Sequence, residues 1–413
     1  MADHGPQTAG GCHLRSGAGR GNAPACHDVP NRALIAIAAA LSFAFLACAP
    51  KTENVTRGTT PAGGDILVGE FGSLTGAQET FGTSTHDGIM MAIDEINEKG
   101  GVNGRKIKII TEDDESNPDE AANAVTKLIS ENKVVALLGE VASSASLAAA
   151  PIAQADHVPM ITPSSTNPGV TKKGDCIFRM CFTDEEQGQA LAEFIAKNLG
   201  ARRVAMLTDV RSDDSKGLGR VFEQRYTKLG GRIVARASYT SDDSDFRPQL
   251  TSIKPSNPEV LFVPGYYTNI GPIARQAREL GITVPLAGGA GWESPKLIEI
   301  GGKALDGCYY SNHYFVDDSA AIVRNFVDKY RQRFGVKPDS MAALGYDAAR
   351  VLADAMRRAK KPDGSSLRDA IAATKNFPGV TGTITLGPDR NPVGKKVVIE
   401  EIRNGQLRRP PSL

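Results

Sequence analysis

The 413-residue chain carries one tryptophan, six histidines and six cysteines, and aromatic residues make up only 6% of it. His4, His13 and His27 fall in a segment read below as a removable leader. Chemistry that needs several imidazoles, such as zinc hydrolysis, is therefore poorly supplied. Neither sign of charge is in excess: 48 Lys+Arg stand against 47 Asp+Glu. A nucleic-acid binder would show a basic face or a high pI. No apolar run reaches the ~20 residues of a comfortable membrane span. Catalytic signatures are also missing. There is no G-x-S-x-G, H-E-x-x-H, P-loop or complete G-x-G-x-x-G, since Gly217-Leu218-Gly219 lacks the third glycine. His86, His157 and His313 lie in separate segments, where structural roles are expected. Nothing demands a metal or cofactor, and none is expected; nor is an enzyme.

What is present begins with a targeting segment. Ala33 to Ala47 is apolar, Arg32 precedes it, and small residues end it before Cys48. That is the anatomy of a secretory signal, assigned to residues 1–47. Phe45-Leu46-Ala47-Cys48 resembles the bacterial lipobox, whose cysteine becomes the lipidated first residue; Phe45 departs from the usual leucine. The long, mixed stretch from Met1 to Pro30 suggests a translation start placed too far upstream. Residues 48–64, rich in Pro, Gly and Thr, read as a flexible tether. Cys12 and Cys26 leave with the leader, and no disulfide is assigned among Cys176, Cys181 and Cys308. The first two are five residues apart in an extended stretch, which is hard to close at disulfide geometry.

Beyond the tether, strand and helix alternate. Ile66–Phe71, Ile107–Ile110, Val134–Leu138 and Val158–Ile161 read as strands. Helical spacing runs through Ile89, Ile93 and Ile96, then over Pro118–Glu131 and Ser144–Ala155. After Asp184 the alternation restarts: helices Glu185–Asn198, Lys216–Leu229, Phe246–Ile253 and Ile270–Leu280 separate strands at Val204, Ile233, Val260 and Val284. Helices Ala320–Phe334 and Met341–Lys360, and strands near Gly382–Leu386 and Lys396–Ile402, complete the chain. Repeated βα units mean parallel sheets covered by helices. So much of it exceeds one open sheet, and the expected fold class is α/β, with two doubly wound parallel-sheet lobes joined by a hinge.

In such sheets ligands bind beyond the carboxyl ends of the strands. Two loops there are rich in small hydroxyl residues: Gly139 to Ser144, and Thr162 to Pro168 with Ser164, Ser165 and Thr166. A helix N-terminus offers free N–H groups and a positive dipole end, which suit a carboxylate. Ser143 and Thr166 would add donors. Taken alone, either loop is more often explained by helix capping, which Ser and Thr supply widely. Asp113-Asp114-Glu115, Asp213-Asp214 and Asp242-Asp243 read as solvated turns.

Several segments resemble the type I periplasmic solute-binding proteins of branched-chain amino-acid ABC transporters. They are Gly72-Ser73-Leu74-Thr75-Gly76 with Phe81-Gly82, Ala92 to Asn97 running into Gly100-Gly101-Val102-Asn103-Gly104, and Asp113 to Pro118. Ile161-Thr162-Pro163, Phe178-Arg179 and Val260 to Tyr266 continue the series. The resemblance implies two lobes joined by three crossovers, with ligand trapped between them. Lobe one would be 65–184 plus 314–387, and lobe two 185–313 plus 388–409. It implies that the loops of Ser143 and of Ser164, Ser165 and Thr166 hold a ligand carboxylate, while Phe81 and Tyr266 close over it. It also implies an acid for the ligand ammonium in the loop Gly288 to Pro295, where Ala290 stands instead. Either Glu293 substitutes, or the ligand has no ammonium, or the register is shifted by one. Trp292, in the same loop, is counted with Glu293 among the expected ligand-binding residues.

The resulting expectation is an exported lipoprotein, anchored at Cys48, that passes a small carboxylate-bearing ligand, a (branched-chain) amino acid, to an ABC permease. Alternatives are the binding subunit of a sensory system, or a binder of amides or organic acids lacking an ammonium. Cys48→Ser should release the protein from membranes or block its processing, as fractionation would show. Normal cleavage with unchanged membrane retention would contradict the lipid anchor.

Overall fold

The computed structural model describes residues 63–410; the leader, Cys48 and nearly all of the tether lie outside the described residues. The first half opens with strand β1 (Ile66–Gly72), helix α1 (Glu79–Glu98), β2 (Ile107–Asp113) and α2 (Pro118–Ser130). It continues with β3 (Leu137–Leu138), α3 (Ser143–Ala155), β4 (Met160–Thr162) and β5 (Ile177–Arg179). These five strands form one parallel sheet in the order β2-β1-β3-β4-β5. Asn117 begins α2, its side chain accepting from the Asp119 amide ahead of Pro118, so this helix start is set locally.

The second half repeats the plan. It contains α4 (Asp184–Glu193), β6 (Arg203–Asp209), α5 (Asp213–Lys228), β7 (Arg232–Tyr239) and α6 (Arg247–Ile253). Then follow β8 (Val260–Phe262), α7 (Tyr267–Glu279), β9 (Leu286–Gly288), α8 (Pro295–Gly301) and β10 (Cys308–Asn312). The chain goes on through α9 (Ala321–Phe334), α10 (Ser340–Arg358), α11 (Gly364–Ala372) and the small hairpin β11 (Phe377–Gly379) and β12 (Gly382–Ile384). β13 (Val398–Arg403) and β14 (Gln406–Arg408) end it. The second sheet runs β14-β13-β10-β9-β8-β6-β7, parallel from β7 to β10 and antiparallel at β13 and β14. The α/β class, with two doubly wound lobes, is what the sequence pattern predicts.

Each sheet reverses its strand order at one place, between β1 and β3 in the first and between β6 and β8 in the second. Such a switch point leaves a crevice above the carboxyl ends of the strands. The apolar runs of β1, β3, β4 and β8 are buried on both faces, as parallel strands under two helical layers must be. The long helices α9 and α10 return to the first lobe, where Phe326, Tyr330, Leu344 and Val351 pack with Ile89, Ile93 and Val68. Short elements escape the sequence pattern. The three residues of β5 and five of β10 carry too little periodicity to be read, and α8 and α11, at seven and nine residues, are short for helices.

Helices α1 and α10 cross with little room between them. A methyl at Gly88 would overlap the Ala342 carbonyl, and one at Gly345 would meet the Thr85 carbonyl. In an open helix Gly→Ala stabilises by removing backbone freedom. Here the obstacle is backbone, which cannot rotate away. Gly88→Ala should therefore cost about 1–3 kcal/mol, the usual penalty of overpacking, seen as a lower denaturation midpoint. A raised midpoint would mean that the helices can part freely.

Candidate functional site

The two switch points face one another, and the loops that leave them build the site. From β1, Ser73 is fully buried; its hydroxyl lies 2.9 Å from Glu140 Oε1 and 3.1 Å from Asp114 Oδ1. Its amide donates to the same Glu140 oxygen at 3.1 Å. Glu140 follows β3 and also accepts from the Ala142 amide, which fixes the turn into α3. Burial, then the neighbouring Asp114, raises Glu140 to about 8. Burial likewise raises Asp114 to about 6. Asp114 is thus no solvated turn residue, contrary to the sequence reading; its neighbours Asp113 and Glu115 are partly or fully exposed. A bend that folds one acid inward between two outward ones leaves no periodic signal.

Helix α3 starts at Ser143, and its cap, Ala142, makes no side-chain hydrogen bond. The first amides of α3 are therefore left without the acceptor that Ser, Thr or Asp would supply. Ser143 does not cap the helix: its hydroxyl accepts from the Asn167 amide at 3.2 Å. Ser164 donates to the Val141 carbonyl at 3.2 Å. The Ser165 hydroxyl reaches the Glu140 carbonyl at 3.0 Å and the Ser146 hydroxyl at 2.8 Å. Ser164 and Ser165 thus stitch the second hydroxyl loop to the first. Beneath them Arg179, wholly buried, donates to the carbonyls of Ser165 at 2.5 Å and Asn167 at 2.8 Å and to Asn391 Oδ1 at 2.8 Å. A charged fork spent on two loop carbonyls holds the loop's shape.

Thr166 reaches across to the other lobe, donating to Asp214 Oδ1 at 2.8 Å. Around it Asn167 Nδ2 donates to the Asp213 carbonyl at 3.1 Å, and the Asp213 amide to Ser144 Oγ at 3.2 Å. The expected aromatics also meet across the cleft. Phe81, on α1, is 2% exposed and lies edge-on to Tyr266, centroids 5.9 Å apart, and to Tyr267 at 5.1 Å. Burial, with Asp214, Glu140 and Asp184 nearby, lifts the Tyr266 phenol well above its ordinary value.

Two predicted residues stand elsewhere. Trp292 is fully buried, its indole N–H donating to the Val263 carbonyl at 2.9 Å, so it belongs to the core of the second lobe. Glu293 accepts from the amide of Ser340 at 3.0 Å and from its hydroxyl. It shares a cavity of about 610 Å³ with Asp339 and Glu400. Burial and those two acids push its carboxyl well above the usual range. The structure therefore gives Glu293 to the α10 N-terminus, and it does not replace the acid missing at Ala290. The Ala290 amide instead donates to Gln187 Oε1 at 3.3 Å, and Gln187 Nε2 donates to Asp184 Oδ1 at 3.2 Å.

Asp184 and Asp214 are buried acids beside the hydroxyl loops that the sequence pattern does not single out. Asp213 is half-exposed and paired with Lys216 at 2.8 Å, as a solvated turn requires. Asp214, next to it, is 8% exposed and turned to Thr166. Asp184 opens α4 behind a capping box of Thr183 and Glu186, a T-x-x-E signal that was readable but marks only a helix start. Among the described residues no helix is long and apolar enough to cross a membrane, and no group of three or more His, Cys, Asp or Glu could hold a metal.

Two doubly wound lobes meeting at facing switch points, with an uncapped helix end, hydroxyls and aromatics between them, define the class of clamshell binding proteins. A family model described as periplasmic binding protein matches residues 65–406. The chain is 30% identical over 311 residues to an amino acid binding protein of Pseudomonas aeruginosa, covering 74% of this chain and 82% of that protein. A leucine binding protein of Thermotoga maritima has a TM-score of 0.80 at 40% identity, covering 83% of this chain and 97% of that one. An ABC-transporter solute binding protein of Rhodopseudomonas palustris, solved with 3,4-dihydroxybenzoic acid, has a TM-score of 0.75 at 28% identity, covering 83% and 95%. The chain belongs to the type I periplasmic binding proteins, in the branched-chain amino-acid family.

Burial raises Asp184 to about 8, helped by the Asp214 charge, and raises Asp214 to about 6. Unfolded, such acids titrate near 4. Between about pH 4 and about pH 8 these three carboxyls thus hold more protons in the folded chain than in the unfolded one, and the stability they contribute falls as pH rises through that window. The melting temperature of the ligand-free protein should decline from about pH 5 to about pH 8. Asp184→Asn should make the decline shallower. A flat or rising profile in calorimetry would contradict these assignments.

Proposed function

We propose that this protein is an exported, lipid-anchored receptor that captures a small amino acid between its lobes and delivers it to an ABC permease. The observation that carries the reading is the uncapped N-terminus of α3. It lies beside Ser143 and Thr166 at one switch point, opposite the first turn of α5 at the other. A carboxylate placed there meets free amides, a positive dipole end and two hydroxyls. Phe81 and Tyr266 then offer an apolar wall to the rest of the ligand. The similarity to leucine- and amino-acid-binding proteins supports an amino acid over other carboxylates. Lobe one, on this reading, is 65–184 plus 314–387, and lobe two 185–313 plus 388–409, so hinge bending at the crossovers opens the cleft. Lipidation at Cys48 would tether the receptor near its permease.

A second reading, a carboxylic acid without an ammonium, has one observation in its favour. Ala290 stands in the loop expected to carry the acid, and a Rhodopseudomonas palustris neighbour was solved with an aromatic acid. Mass spectrometry of what co-purifies, followed by titration calorimetry with leucine, isoleucine and valine, distinguishes the two. Ser143→Ala should weaken binding by about 1.5–3 kcal/mol, the scale of a hydrogen bond to a charged group, with little change in melting temperature. Unchanged affinity with a lowered melting temperature would reduce Ser143 to a support for Asn167.

A further inference from the structure

We propose that Asp184 and Asp214 together form an ammonium-accepting subsite, relocated from the Gly-rich loop in which Ala290 has no charge to offer. The inference rests on the amino-acid reading above and specifies it. Three observations meet at this place. First, Asp184 is fully buried, and among the described residues its Oδ2 has no hydrogen-bond partner. A buried carboxylate oxygen left unmatched is costly. This one faces the first turns of α5: a methyl on Gly217 would overlap Asp184 Oδ2 and also approach Asn167 Nδ2 at 3.3 Å. It therefore looks into the seam between the lobes, where Asn167 and Thr166 approach α5.

Second, Asp214 turns to the same seam. An acid in the first turn of a helix is ordinarily stabilised by the dipole and left in water, which describes Asp213. Asp214 is instead buried and takes its hydrogen bond from Thr166 of the other lobe. The Asp184 amide donates to the Thr166 carbonyl at 3.0 Å, so Thr166 touches both acids, one through its hydroxyl and one through its backbone. Among the described residues no Lys, Arg or His forms an ion pair with either carboxylate. The Arg179 guanidinium, whose charge acts on Asp184, is spent on the carbonyls of Ser165 and Asn167 and on Asn391.

Third, the pair is wired to the position it replaces. Gln187 accepts from the Ala290 amide and donates to Asp184 Oδ1, so the loop without its acid and the unmatched acid share one side chain. The Ser311 hydroxyl also donates to Gln187 Oε1, at 2.9 Å, which fixes the amide's orientation. A ligand whose carboxylate sits at the α3 N-terminus beside Ser143 and Thr166 would carry its α-ammonium one carbon away, on the side where Thr166 meets Asp214 and Asp184. Two acids with one cation between them leave a net negative site, which accepts zwitterions and disfavours plain anions.

The test is calorimetric titration of L-leucine, L-isoleucine, L-valine and 4-methylpentanoate, which is leucine without its ammonium, into wild type, Asp214→Asn and Asp184→Asn. Wild type should bind an amino acid more tightly than 4-methylpentanoate. Each variant should lose about 10- to 100-fold in amino-acid affinity and change little toward 4-methylpentanoate. Melting curves accompany both variants, and if Asp184→Asn does not fold, Asp214→Asn decides. Equal losses toward both ligand types, or no loss, overturn the subsite. Wild type that binds 4-methylpentanoate as well as leucine also overturns it, yet leaves a carboxylate receptor standing. Binding of none of the four overturns the amino-acid reading itself.

Discussion

A carboxyl group taken out of water either keeps its proton or meets a positive charge, and the cleft of this protein is arranged around that constraint. Glu140, Asp184 and Asp214 are buried within one group of loops, and among the described residues no lysine or arginine forms an ion pair with them. Glu140 is absorbed by its own lobe, where Ser73 and the turn amides fix the entrance to α3. The other two sit where the lobes touch, and one of their oxygens has nothing to bond. The helix end opposite has the complementary need, amides without an acceptor. On the proposed reading a small zwitterion answers both at once, carboxylate to α3 and ammonium to the acid pair.

That division explains why closure and binding belong together. Thr166 reaches Asp214 directly, and Asn167 and Ser144 reach the backbone of Asp213, so the first turn of α5 is the point at which the second lobe engages the first. A second contact forms farther along the cleft, where Thr80 Oγ1 lies 3.0 Å from Ser294 Oγ and Glu293 accepts from Ser340. Glu293, Asp339 and Glu400 make that end acidic as well, but their partners are protein groups. The acids there serve the seam and the N-terminus of α10, and those at α4 and α5 are the ones proposed to meet the ligand.

Much of the fold was legible because it is repetitive. Apolar runs such as Val134–Leu138 and the spacing of Ile89, Ile93 and Ile96 carry their period within a few residues, and the alternation of strand and helix fixes a doubly wound class. The hydroxyl loops were legible too, since their place after a strand and before a helix is local. The acids were not. Asp114 and Asp214 each stand beside an exposed acid, and only the approach of another loop, Ser73 in one case and Thr166 in the other, separates the buried member from its neighbour. Glu293 and Trp292 failed for a related reason. Residues adjacent in one loop point to different places, and three positions beyond Ala290 the chain has already turned toward α10. Sequence places a residue on a loop, and the fold decides which face of that loop the residue serves.

The proposed pairing of a ligand ammonium with Asp184 and Asp214 has a consequence for the protons held there. Titration of L-leucine at neutral pH in two buffers of different ionisation enthalpy tests it most directly. A carboxyl that is raised to about 8 in the free protein and then paired with an ammonium must give up its proton. The account predicts binding heats that differ between the buffers by an amount corresponding to net proton release. Heats that are the same in both, alongside measurable binding, would contradict it.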